Sequence, residues 1–206
     1  MARVSQEHLD ARRRQILDGA ARCFARNGFH ASSMQDVLTE VGLSAGAVYR
    51  YFRGKDELIE AIATEAFTTI RAAFEEAART TPPPTPDVLL GAVIGLFLDT
   101  RIAGADRQAF ARLVIQVWTE TLRNEVLAKT LSEGYNGMRV AWARLVTAYR
   151  DAGILTADVP ADHVARTLVA TAQGFIAQQA LFGDVSVEVL EDGLRGLMSM
   201  SVDPTR

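Results

Sequence analysis

Residues 32–55 read SSMQDVLTEVGLSAGAVYRYFRGK, and two glycines, Gly42 and Gly54, cut the helical pattern there into two short pieces. Each piece has room for about two turns. A helix that short has little stability of its own, so the pair must share a core. Val37, Val41, Leu43 and Val48 can supply it. Ser32 stands three residues before Gln35, the spacing of a capping box, and Ser44 can cap the second piece with Leu43 and Val48 as a hydrophobic staple. This layout predicts a helix-turn-helix whose second helix, expected over residues 45–51, enters the major groove of DNA.

The rest of the chain is helical in period, without a convincing run of strand alternation. Helices are expected over residues 8–27, 55–79, 87–103, 106–122, 124–151, 161–182 and 187–200. Gly28 is a natural stop for the first, and the four prolines of TTPPPTP, residues 80–86, forbid helix between the second and third. Residues 88–98 are apolar on all sides, which predicts a helix buried at the centre of its domain. The expected fold is all-α with about nine helices. A three-helix helix-turn-helix head, residues 1–54, is expected to stand on a larger helical body, residues 55–206.

Charge agrees with that division. Residues 1–55 hold nine Lys and Arg against five Asp and Glu, while the whole chain of 206 residues carries a formal charge of −3. A basic head on an acidic body suits a head that meets phosphate. The single cysteine, Cys23, rules out a disulfide framework, and His8, His30 and His163 are too scattered for a metal site. No nucleophile with a matching His and acid is readable, and no cofactor-binding motif, so neither an enzyme nor a cofactor is expected. The start of the chain lacks the apolar core of a signal peptide, and the longest apolar run is too short to span a bilayer, which predicts a cytoplasmic protein without a membrane partner.

The residues expected to meet DNA follow from the same segment. Ala45, Gly46 and Ala47 form a bare first turn that can approach base edges. Tyr49, Arg50 and Tyr51 place hydroxyls and a guanidinium among bases and phosphates. Lys55 and the Ser32 and Ser33 hydroxyls stand at helix starts, where phosphate is favoured, and Met34 is a further candidate for base contact.

In this region the chain resembles the tetracycline-repressor (TetR) family of bacterial regulators. Ser44, Gly46, Val48, Tyr49, Tyr51, Phe52 and Lys55 match the family's recognition pattern, and Ile16, Ala20, Ala21, Phe24, Gly28 and Phe29 match its first helix. Leu38 departs from the pattern, standing where a small residue is usual at the crossing of the two short helices. Ala45 and Ala47 also depart from it, removing hydrogen-bond donors from the first turn. The resemblance implies a ligand-responsive repressor that binds a palindromic operator in double-stranded DNA as a homodimer.

For the dimer, wide apolar faces on the last two helices nominate Val164, Leu168, Phe175, Gln179, Leu190, Leu194, Leu197 and Met198. For the small-molecule effector, the aromatic side chains Phe97, Trp118, Tyr135, Trp142 and Phe175, with Met138 and Gln173, suggest a neutral or weakly polar, partly aromatic ligand. Two alternatives stay open: a protein partner in place of the ligand, and an enzyme or carrier whose head is vestigial.

Overall fold

A computed structural model describes residues 6–98, 107–155, 158–183 and 185–200. These form nine helices: α1 (Gln6–Asn27), α2 (Met34–Val41), α3 (Ala45–Tyr49), α4 (Lys55–Arg79), α5 (Pro86–Leu98), α6 (Arg107–Glu120), α7 (Glu125–Asp151), α8 (Ala161–Phe182) and α9 (Val187–Met198). The fold is all-α, as expected. The tail of the helix anticipated over 87–103 lies outside the described residues.

The chain divides into two compact units. The first comprises residues 1–68 and 98–134, the second residues 69–97 and 135–206. The border expected at 54/55 does not coincide with this division, because the first unit also takes in the start of α4, all of α6 and the start of α7. A three-helix head has too little interior to bury its apolar faces alone, and the added helices extend its core.

In the first unit, Ile16, Leu17 and Phe24 of α1, Val37 of α2, Val48 of α3 and Leu58 of α4 are fully buried. Helix α1 stops at Gly28, whose φ of 87° is the left-handed conformation that glycine adopts at least cost. Gly19 permits the close crossing of α1 over α2, since the Val41 side chain fills the space a Cβ there would need. Leu38, expected at the crossing of the two short helices, is buried. Glu40 ties α2 back to α1 through Arg22 at 3.0 Å and Arg26 at 2.8 Å. Its carboxyl is held below the usual range, first by Arg26 and then by Arg22.

In the second unit, Phe74 and Trp142 meet edge to face with ring centroids 5.0 Å apart. Helix α5 corrects one expectation. It is not buried all round, for Val88, Ala92 and Leu96 are exposed, and their spacing of four puts them on one side of the helix. The opposite side carries Leu90 and Ile94 into the core. Asp87 begins this helix, almost wholly buried, and accepts from the Arg195 guanidinium of α9 at 2.9 Å. Burial raises the Asp87 carboxyl, but bonds from Thr85 and Arg195 outweigh it and leave it below its usual value.

Tyr149 donates its hydroxyl to the Pro84 carbonyl at 2.5 Å. Burial first, then the Asp87 charge, pushes this phenol up to about 12 from an ordinary 10.0. A folded-state value above the unfolded one stabilises the fold fully below the unfolded pKa and is lost as pH rises to the folded one. Stability is therefore expected to drop between pH 10 and about 12, measured as the urea midpoint against pH. Tyr149→Phe should flatten that drop, and one of the four tyrosines should show late phenolate absorbance. A drop of equal size in Tyr149→Phe would assign it to other groups.

Candidate DNA-binding surface

The helix-turn-helix forms as its sequence predicts, with two shifts. The residue capping α2 is Ser33, not Ser32. Its hydroxyl accepts from the Asp36 N–H at 3.2 Å while the Asp36 carboxylate takes the Ser33 N–H at 2.7 Å. The Ser33 hydroxyl also donates to the Asp36 carboxylate at 2.6 Å, and this bond first, then the one from the Ser33 N–H, favours the ionised form and holds the Asp36 carboxyl low. Ser32 points inward instead. It is buried, and its hydroxyl donates to the Gly28 carbonyl at 2.8 Å. The expectation that Ser32 meets phosphate is corrected on that ground, since it has no surface to offer.

Gly42 ends α2 in the left-handed conformation, φ 66°, and its N–H returns to the Leu38 carbonyl at 3.1 Å. Ser44 then caps α3 through the Ala47 N–H. The α-helix covers Ala45–Tyr49, shorter than the expected 45–51, and Tyr51 and Phe52 continue it as a turn by donating to the Val48 carbonyl at 2.9 and 3.1 Å. Val48 and Phe52 face the core. Ser33, Ala45, Gly46, Tyr49 and Arg50 are exposed, and Met34, Ala47 and Tyr51 half-buried.

Lys55 is placed differently from its expectation. Its ammonium donates to the Ser32 carbonyl at 2.6 Å and the Phe29 carbonyl at 2.9 Å, with the His30 carbonyl at 3.5 Å. It also lies 4.9 Å from the centre of the Phe29 ring, a cation–π contact. Its donors are turned onto the loop between α1 and α2, so its first task is to hold that loop.

Two sets of expected residues are dispersed by the fold. Of the effector candidates, Trp118 belongs to the first unit and the other six to the second. There Trp142 and Phe175 are buried core side chains, while Phe97, Tyr135, Met138 and Gln173 are half-buried. Of the dimer candidates, Leu168, Phe175 and Gln179 are buried within their own unit, which corrects their assignment to a surface. Val164, Leu190 and Leu194 are half-buried, and Leu197 and Met198 are exposed. The sequence reading missed Leu181, Phe182, Val189 and Met200, each more than 60% exposed. Apolar side chains at a helix end and just beyond one carry no signal in sequence that separates inward from outward.

A cleft of about 490 Å³ opens in the first unit, and its lining includes Asp56, Glu57, Glu60, Glu120 and Glu125. Its acidity is unsuited to phosphate, and none of the effector candidates lines it. Among the described residues no helix is long and apolar enough to cross a membrane, and no three His, Cys, Asp or Glu gather as a metal site.

A short recognition helix with its aliphatic side in the core and its Tyr and Arg outside defines a helix-turn-helix DNA-binding protein. Residues 16–62 match the family of bacterial regulatory proteins described as the tetR family. The HTH-type transcriptional repressor Rv1474c of Mycobacterium tuberculosis is 49% identical over 65 residues, a stretch covering 32% of this chain and 35% of that repressor. This chain thus aligns with about a third of Rv1474c. The uncharacterized HTH-type transcriptional regulator YfiR of Bacillus subtilis is 28% identical over 88% of this chain and 86% of its own. The solved structure of GusR from Salmonella enterica superposes with a TM-score of 0.71 at 27% identity, covering 97% of this chain and all of that one. The match to the tetR family lies in the helix-turn-helix segment, and the likeness to YfiR and GusR along the chain supports a TetR-family regulator.

Proposed function

We propose that the protein binds a palindromic operator as a homodimer, represses the adjacent gene, and lets go when a small effector occupies the second unit. The observation that carries the DNA-binding reading is the outer side of α3. Tyr49 and Arg50 are exposed next to a first turn of Ala45, Gly46 and Ala47, where the backbone can come close to base edges. With no hydroxyl in that turn, base reading rests on Arg50, on Met34 and on contacts between alanine methyls and thymine. Ser33, Tyr49 and Tyr51 then serve the phosphates.

The dimer reading rests on the apolar side chains that α8 and α9 leave uncovered. For the effector, Phe97, Tyr135, Met138 and Gln173 are the half-buried candidates of the second unit, and they favour a neutral or weakly polar, partly aromatic molecule.

Selection of bound duplexes from random-sequence DNA by the purified full chain tests this reading, and an enriched palindrome is expected. If no sequence is enriched over the input, the proposal fails. Against the enriched duplex, Arg50→Ala should relax preference at one position of each half-site, costing about 1–3 kcal/mol for a bidentate base contact. A loss equal across all sequences would make Arg50 a phosphate contact instead.

A further inference from the structure

Within the first unit, α6 reaches the helix-turn-helix through one directional hydrogen bond and a buried carboxylate beside it. Helix α1 ends with the Gly28 N–H on the Phe24 carbonyl at 2.8 Å, an αL stop that leaves the next N–H, that of Phe29, without a helical acceptor. Gln116 of α6 supplies one, its side-chain carbonyl accepting from the Phe29 N–H at 2.7 Å. The same side-chain oxygen lies 3.4 Å from where a Cβ on Gly28 would stand. One turn further along α6, the buried Glu120 carboxylate lies 3.1 Å from the His30 imidazole and 3.4 Å from the Arg123 guanidinium. Gln116 and Glu120 are four residues apart and so share one face of α6. That face engages two successive residues of the α1–α2 loop.

The loop is what orients the DNA-reading helices. From the other side Lys55 holds its Phe29 and Ser32 carbonyls, Ser32 closes it onto Gly28, and the next residue, Ser33, caps α2. Helix α3 hangs from α2 through Gly42. An apolar contact can slide by an ångström at little cost, but a hydrogen bond weakens steeply with angle and distance. A buried carboxylate also cannot leave its partners cheaply. The bond from Gln116 therefore ties the loop to α6 at one defined point.

We propose that Gln116 is a positioning residue for DNA binding: through the Phe29 N–H it fixes the α1–α2 loop and with it the set of α2 and α3. This rests on the reading that the head binds DNA, and it names a residue outside the helix-turn-helix on which that binding depends.

The test uses the full chain and the duplex that the wild type enriches from random-sequence DNA. Gln116→Met keeps the side chain's length and removes the acceptor, whereas Gln116→Glu keeps an acceptor. Gln116→Met is expected to bind that duplex about tenfold more weakly, with hydrogen exchange about tenfold faster at the Phe29 amide and a melting temperature close to the wild type. Gln116→Glu should restore both affinity and protection to within about threefold. Three results overturn the inference: wild-type affinity in Gln116→Met, unchanged exchange at Phe29, or equal weakening in both variants, which would mean packing and not the bond. A wild type that enriches no duplex sinks the DNA-binding reading itself and the inference with it; unchanged exchange at Phe29 sinks the inference alone.

Discussion

A chain carrying Val189→Glu together with Leu197→Glu is expected to sediment as a folded monomer and to bind its operator on the order of 10²–10⁴-fold more weakly. Val189, Gly193, Leu197 and Met200 recur at helical spacing near the chain's end, and all four are exposed. Val189 is 62% exposed and Leu197 67%, so neither change touches the core that folds the monomer. The side chains that do hold α9 are elsewhere on it: Arg195 pairs with Asp87, and Glu191 lies over Gly91 of α5 in the space a Cβ would take. Glycine at 193 lets a second copy approach closely. Burying two glutamates without partners in such an interface costs several kcal/mol, enough to separate the subunits. Each monomer then meets only one half-site, and the gain from binding two together is lost. The expected controls are an unchanged helical circular dichroism spectrum and an unchanged monomer core. A variant that still sediments as a dimer would move the interface away from α9, and a wild type that is monomeric at micromolar concentration would end the dimer proposal.

Lys55→Met should strongly destabilise the first unit. It removes the donor from the Ser32 carbonyl at 2.6 Å and from the Phe29 carbonyl at 2.9 Å. A hydrogen bond from a charged donor contributes about 1.5–3 kcal/mol, so destabilisation by about 3–5 kcal/mol is expected. The loss should appear as a lower melting temperature, together with weaker binding to every DNA sequence. Lys55→Arg should recover only part of it, because a planar fork cannot aim at carbonyls that a compact ammonium meets from one point. The sequence reading placed Lys55 on a phosphate, and the two roles separate cleanly. A phosphate contact removed from an otherwise sound head lowers the slope of log affinity against log salt by about one and leaves melting alone. That pair of results would return Lys55 to the DNA surface.

Local features of the fold were legible in the sequence because they depend on neighbours along the chain. The 3.6-residue period placed all nine described helices, and α4 and α8 begin and end at the residues expected. Gly28 and Gly42 stop helices because a positive φ suits glycine. The recognition pattern from Ser44 to Lys55 carried the family. Tertiary packing decided the remainder. Ser32–Gln35 and Ser33–Asp36 offer the same capping spacing, and what separates them is that the fold turns Ser32 into the turn at Gly28 and leaves Ser33 at the helix start. Periodicity shows that a helix has an apolar side, but not whether its own chain or a second copy covers that side. Leu168, Phe175 and Gln179 are buried by their own chain while Val189 and Leu197 are left exposed, a difference that periodicity does not carry. The bond from Gln116 to Phe29 joins residues 87 apart, and no spacing rule reaches so far. Helix type and helix ends are set by backbone torsion and the nearest turns, which a sequence carries within a few residues. The partner of a polar side chain is set by which helices meet, and only the folded chain brings them together.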